Sequence, residues 1–355
     1  MKTTLDTIKR EILTRPGIGR RELTERSGLD IRTVSAAVGS LLKQGFITAR
    51  RDTKKSVGRT GDVYFPVEEK ELCFTGFHIE ISCILCTFKD ADGNVIESLQ
   101  EPFSLDWASL NHTAQRLCRI IDGFTKRTGR KVNAAAITFR ERRGPQFAEG
   151  VRQLLGVYTG LPVYGGTPID SFAWAARMKN PDAKKIVMMH FGMFLIEISV
   201  LDGLRQNTEA DRFAKELSHT PVEKDGPPCY CGKNGCLEYY VHGFSMNEEL
   251  RERKKLDPSE EINLAGYYNA GDPDAAAIVG KAEKHIFQAL QETAEKYKPD
   301  IFFLLVLGYD AIIKSMKSIV GGDWVPPGMT FHIYKPDNQC SAAIADKAIL
   351  LNKNI

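Results

Sequence analysis

Hydrophobic and polar positions change their period along the chain. Near the N-terminus apolar residues recur three or four apart. Leu5, Ile8, Ile12 and Leu13 form one such set, and Val34, Val38, Leu41 and Leu42 another. That spacing lines one face of a helix. "PGIG" breaks the first helix. A short helix over about Arg20–Ser27 is predicted next, stopped by Gly28. Asp30 can cap a further helix that Gly45 ends. From Leu72 the pattern alternates. "LCFTGFHIEISCILCTFKDADGNVIES" reads as strands with "DADGN" as a hairpin turn. A helix around Trp107–Lys126, the strand "VNAAAITF", a helix around Gln146–Tyr158 and the strand "LPVYG" follow. A second round opens with "KKIVMMHF" and "MFLIEISVLDG". It continues with a long helix around Pro273–Lys298, the strand "IFFLLVLG", a helix from about Asp310, the strand "MTFHIY" and the closing helix "SAAIADKAILL". Strands alternating with helices predict an α/β fold, here a duplicated body with a cleft between its halves.

The paired short helices before this body make a helix-turn-helix, since a glycine-containing turn joins them. Arg20 and Arg21 open the first of the pair. Arg32, Thr33, Ser35 and Ala36 lie on the outer face of the second, near its start, where this motif meets base edges. "FITARR" and "DVYFP" then flank "DTKKSVGRTG". This is the pattern of a wing, with Arg50, Arg51, Lys54, Lys55 and Arg59 available to neutralise phosphates. Charge sharpens the contrast. Residues 1–66 hold 14 Lys and Arg against 7 Asp and Glu, while the remainder holds 34 against 38. A basic head on a mildly acidic body points to a polyanion partner, double-stranded DNA. The competing reading is a protein–protein module with a solvated basic loop.

No apolar run approaches the length of a membrane span and "MKTTLDTIKREIL" is no signal peptide, so a cytoplasmic protein is expected. In that reducing compartment clustered cysteines favour metal over disulfides. Three of the eight cysteines crowd into "HTPVEKDGPPCYCGKNGCLEYY". His219, Cys229, Cys231 and Cys236 suit one tetrahedral zinc, structural because four protein ligands leave no open position. The other five cysteines lie in apolar segments and read as small core residues.

"ELSHTPVEKDGPPCYCGKNGCLE" resembles the zinc signature of the repressor/ORF/kinase (ROK) family, with Ser218 in place of a glycine. The family's regulators join a winged helix-turn-helix to an actin-like, ribonuclease H-like duplicated sugar-kinase body. The resemblance therefore implies three domains: a DNA-binding head (1–66), a first α/β lobe (67–180) and a second lobe with the zinc loop (181–355). It also implies that Glu216, His219 and Glu238 contact a sugar effector, although the two carboxylates could instead brace the zinc loop.

The departures from the family's kinases are as informative. "GFHIEIS" stands where a glycine-containing phosphate loop is expected, with His78, Glu80 and Ser82. Thr167 and Pro168 replace the Asn-Asp pair whose aspartate is the catalytic base. Asp170 follows, but a helix beginning at Pro168 would rotate it away. "FGMFLIE" keeps one glycine, Gly192, of the second phosphate loop; Met193, Phe194 and Leu195 would block a phosphate and Glu197 would repel it. "LVLGYDA" lacks paired glycines for adenine, and "FRERRGPQF" shortens the sugar loop. Arg140, Arg142 and Arg143 in that loop raise the option of an acidic effector, against the plainer reading of a solvated basic turn. The expectation is a non-enzymatic regulator that binds no ATP: a repressor of sugar uptake or catabolism genes, acting as a homodimer or dimer of dimers. The alternatives are a residual sugar kinase with a DNA-binding head, and a regulator whose body binds a partner protein.

Overall fold

The computed structural model describes residues 4–51, 61–68, 71–140, 144–305, 325–335 and 340–353. Lys54, Lys55, Arg59, Arg142, Arg143 and the helix expected from Asp310 lie outside them. The chain divides into two compact units, residues 1–175 with 338–355, and residues 176–337.

Unit 1 begins with α1 (Thr4–Thr14), β1 (Ile18–Gly19), α2 (Arg20–Ser27), α3 (Ile31–Lys43), β2 (Ile47–Arg51) and β3 (Asp62–Pro66). The strands form an antiparallel sheet of order β1-β3-β2. Ile8, Ile12, Leu23, Val34, Val38 and Leu41 close a common core. Leu13 does not join it and is 45% exposed, because one residue past Ile12 turns the side chain about 100° around the helix. Gly28 ends α2 in the left-handed conformation at φ 69°. Asp30 caps α3, its Oδ1 accepting from the amides of Arg32 (2.9 Å) and Thr33 (3.0 Å).

The first lobe follows: β4 (Cys73–Ile79), β5 (Cys83–Asp90), β6 (Val95–Pro102), α4 (Leu110–Thr128), β7 (Ala134–Phe139), α5 (Gly144–Thr159), β8 (Val163–Gly166) and α6 (Pro168–Lys179). Its sheet has order β6-β5-β4-β7-β8, with β7 and β8 parallel to β4 and the other pairs antiparallel. Phe77, Phe88 and Ile137 of the sheet pack with Leu117, Phe124 and Leu155 of α4 and α5. The rings of Phe88 and Phe124 stack at 3.8 Å.

Unit 2 contains β9 (Lys185–Phe191), β10 (Ile196–Asp202), β11 (Arg205–Gln206), α7 (Ala210–Ser218), α8 (Glu238–Val241), α9 (Gly243–Lys254), α10 (Leu264–Asn269), α11 (Pro273–Tyr297), β12 (Ile301–Leu305) and β13 (Thr330–Tyr334). Its sheet order, β11-β10-β9-β12-β13, repeats the first lobe's pattern of two antiparallel neighbours on one side and two parallel strands on the other. Val187, Met189 and Ile198 pack with Leu217 of α7 and with Ala282, Ile286 and Ala289 of α11.

The closing helix α12 (Cys340–Lys353) corrects the expected boundary of 181–355: it belongs to unit 1. Its seat is the strand glycine Gly76. A Cβ there would lie 2.0 Å from the Ser341 carbonyl oxygen and 2.6 Å from the Ala345 amide nitrogen. Thr87 and Ser341 share a hydrogen bond of 3.0 Å, and the Lys89 ammonium donates to Asp346 at 2.6 Å with both side chains buried. The closing helix's pattern identifies a helix, but the close approach that selects its sheet depends on a residue far away in sequence.

Candidate functional site

The cysteine loop is built by turns that only glycine permits. Gly235 has φ +63°, and a Cβ on it would fall 1.8 Å from the Glu223 carbonyl oxygen. The Val222 amide donates to the Gly235 carbonyl (2.8 Å) and the Leu237 amide to that of Thr220 (2.9 Å), which pins the end of α7 beside Cys236. A tight turn from Cys229 to Gly232 closes the other side, the Gly232 amide donating to Cys229 at 2.9 Å. His219 is the residue that ends α7.

One ligand atom from each of His219, Cys229, Cys231 and Cys236 lies within 4.8 Å of all the others. Cys229 Sγ is 3.4 Å from His219 Nδ1, and Cys231 Sγ is 3.6 Å from Cys236 Sγ. Two sulfurs about 2.3 Å from a tetrahedral zinc stand about 3.8 Å apart, so the four residues fit that ion. Burial first, then the hydrogen bond to Glu238, push the Cys229 thiol up to about 12. Burial raises Cys236, while the Lys233 backbone amide lowers the exposed Cys231. A divalent cation is what would hold all three as thiolates.

The three residues expected to touch an effector separate here. Glu238 is buried in the cluster, its Oε1 accepting from Cys229 Sγ at 2.9 Å and lying 3.3 Å from His219 Nδ1. Glu216 instead lies on the outer face of α7, 62% exposed, 3.5 Å from Arg212 one turn away. The i, i+4 geometry favours that partner over the loop. Tyr230 escaped the sequence reading. Its hydroxyl meets His219 Nε2 at 3.0 Å and its ring stands edge-on to the imidazole. Its position between two ligands was the available signal. Of the other five cysteines, Cys73 and Cys86 are buried as expected, whereas Cys83, Cys118 and Cys340 are only partly so.

Residues 147–317 match the model of the ROK family. The chain carries a ROK domain. The xylose repressor of Bacillus subtilis (strain 168) is 23% identical over 334 residues, which span 88% of this chain and 84% of the repressor. Among solved structures, a ROK family transcriptional regulator described as a homologue of the E. coli MLC protein aligns at a TM-score of 0.63 and 16% identity, covering 98% of this chain and 96% of that one. A ROK hexokinase from Thermus thermophilus aligns at a TM-score of 0.61 and 17% identity, covering 78% of this chain and 97% of the hexokinase. The α/β body therefore has the ROK sugar-kinase-like fold.

At the positions expected from the sequence to correspond to kinase loops, the side chains are engaged with one another. His78 Nε2 meets Glu80 at 2.9 Å, and the Arg140 guanidinium donates to the other Glu80 oxygen at 3.0 Å. Burial pushes the His78 imidazole down, against the pull of Glu80. Pro168 is the first residue of α6. Asp170 accepts from the Thr167 amide at 2.9 Å, capping the start of its own helix. Gly192 donates to the Leu195 carbonyl at 2.9 Å in a tight turn that leaves Met193 and Phe194 exposed. Glu197 is bonded to His190 Nδ1 at 2.9 Å.

In the head, Arg32 and Ala36 are exposed and Ser35 is half-buried on the outer face of α3. The Thr33 hydroxyl is taken up by Asp30 at 2.5 Å, which limits it as a base contact. Arg21 is 94% exposed and paired with Glu25. The Arg20 and Arg50 guanidinium groups lie over the rings of Tyr64 and Phe65, at 5.8 and 4.9 Å, and Arg51 ends β2 exposed. No helix among the described residues is long and apolar enough to cross a membrane.

Proposed function

We propose that the chain is a DNA-binding transcriptional repressor whose ROK-type body binds a sugar-type effector without phosphorylating it. One observation carries the reading. The capped start of α3 presents Arg32 and Ala36 to solvent; along the chain, α2 with Arg20 and Arg21 precedes it and β2 with Arg50 and Arg51 follows it. This order suits a winged helix-turn-helix over residues 1–66, whose second helix would enter a major groove while its hairpin meets phosphates. The repressor and regulator named among its relatives support the same reading. Regulators of this type read inverted repeats, so a homodimer follows. A body without catalysis follows from Pro168, which has no side chain to accept a proton, and from Met193 and Phe194 in the second phosphate loop.

Zinc at His219, Cys229, Cys231 and Cys236 would cross-link the end of α7 to its loop, with no coordination position left for water. It would also hold His219 and Glu238 in one orientation, which makes them the residues of choice for an effector's hydroxyl groups.

The direct test is binding of the full chain to promoter-length duplexes from its own upstream region and to random DNA at physiological salt. A clear preference is expected. Arg32→Ala should cost on the order of 1–3 kcal/mol at the site whose base it reads, and Arg51→Ala should weaken all duplexes alike and flatten the salt dependence. Equal affinity for every duplex would remove the proposal. The retained His219–Glu238 pair and the hexokinase's fold favour a second reading, a residual sugar kinase. Turnover of ATP with glucose or N-acetylmannosamine would establish it; no heat on titrating magnesium and ATP is expected.

A further inference from the structure

An open cleft of about 620 Å³ lies in unit 1 where the end of α3 meets α4 and the end of α5. That size falls within the range of about 300–1,000 Å³ typical of small-molecule sites. Its charged residues are Lys43, Arg119, Lys131 and Asp122, a net charge of +2 from three cations against one carboxylate. All four are exposed, and none forms an ion pair among the described residues. Gln115 and Thr125 add polar groups to the wall.

The cleft straddles a seam. Lys43 is the last residue of α3 and so belongs to the head, whereas the other charged residues belong to the first lobe. The Lys43 side chain lies across Gly160, close enough that a Cβ there would stand 2.5 Å from its Cε. Elsewhere the seam is held by specific hydrogen bonds. The Asn133 amide donates to the Gln44 and Gly45 carbonyls at 2.9 and 3.0 Å, while its oxygen accepts from the Cys73 amide at 2.8 Å. The Lys9 ammonium donates to the Asn352 carbonyl at 2.6 Å.

We propose that this cleft binds a small organic phosphate that bridges Lys43 of the head to Arg119 and Lys131 of the lobe. A phosphate monoester carries a charge of about −1.5 to −2 near neutral pH, which matches the net charge of the wall. A single carboxylate would leave one cation uncompensated. Arg119 offers the forked donor geometry that phosphate oxygens accept. Asp122 and Gln115 suit hydroxyl groups on the organic part. Because the ligand spans the seam, its binding fixes the end of α3 against the lobe, and so selects one orientation of the head.

The test is isothermal titration of the full chain with inorganic phosphate, glucose 6-phosphate and glucose. Binding of glucose 6-phosphate is expected, and with it weaker binding of inorganic phosphate if the anion alone supplies much of the affinity. Arg119→Ala and Lys131→Ala should each weaken glucose 6-phosphate at least tenfold while leaving melting unchanged, since both side chains are exposed. Bound ligand should also slow hydrogen exchange at the Gln44 and Gly45 amides, and Lys43→Ala should remove that slowing. No heat with either phosphate, or affinity that survives the Arg119→Ala, Lys131→Ala double variant, overturns the site. Slowed exchange that persists in Lys43→Ala overturns the bridge. None of these measurements uses DNA, so they stand or fall separately from the regulator reading.

Discussion

The two five-stranded sheets are built to one plan and finished differently. Each places its first strand in the middle, two antiparallel neighbours on one side and two parallel strands on the other. Each first strand even carries a histidine at its sixth residue, His78 in β4 and His190 in β9. Both are bonded to a glutamate and both have the other ring nitrogen buried without a partner among the described residues. The fourth residue differs: Gly76 in β4, Met188 in β9. Gly76 exists to let the α12 backbone touch the strand. Unit 2 instead carries the cysteine loop between its antiparallel strands and α11. Equivalent topology thus leaves the stabilising device free to vary: one lobe is closed by a distant helix, the other carries a cluster of His219, Cys229, Cys231 and Cys236 close in sequence.

Breaking the loop should give the largest effect. One zinc per chain is expected by metal analysis. Cys229→Ser should lower the melting transition of unit 2 by several kcal/mol, part of the roughly 10 kcal/mol that a structural zinc site contributes. Protein purified without chelators yet free of zinc would show that metal does not close this loop. The other side rests on Gly76. A Gly76→Val side chain collides with the backbone of α12, which cannot yield as a flexible side chain would, so a loss of about 3 kcal/mol or more is expected. Met188→Leu, at the matching position, should cost less than about 1.5 kcal/mol. Equal losses at the two positions in denaturant titrations would show that the sheets are finished alike.

The seam between head and lobe gives a pH signature. Burial lowers Lys9 from 10.5 to about 8, against the opposing pull of Asp6. Protonated Lys9 therefore favours the unfolded chain, and its contribution to stability rises from pH 8 to 10.5. The full rise is roughly 3 kcal/mol. Lys9→Met should remove that rise from the difference between denaturation curves at pH 7 and 10; identical pH dependence in both proteins would show that Lys9 stays solvated. The smallest effect is expected at Asp30. Asp30→Ala removes the cap of α3 and should destabilise the head by about 1 kcal/mol, read as faster hydrogen exchange in the first turn of α3, with both sheets unaffected.

The features legible in advance share a short range. The bounds of α2, the Asp30 cap, the strand hairpins and the four ligands of the loop all depend on residues a few to seventeen positions apart. Gly232 and Gly235 then force the turns that bring the ligands together. The amphipathic period placed Ile8 and Ile12 correctly but not Leu13, because adjacent residues on a helix face different ways.

Neighbouring residues alone carried the order of helices and strands, the basic charge of the head and the clustering of His219 with the three loop cysteines. Long-range packing settled which sheet receives α12, that Glu216 stays with Arg212 while Glu238 joins the cysteine loop, and that Tyr230 meets His219. It alone also placed Lys9 against Asn352, 343 residues away. The reason is physical. Local patterns set which backbone conformations compete, but partners this distant are chosen by packing, when a glycine admits a helix or a buried polar group must find its match.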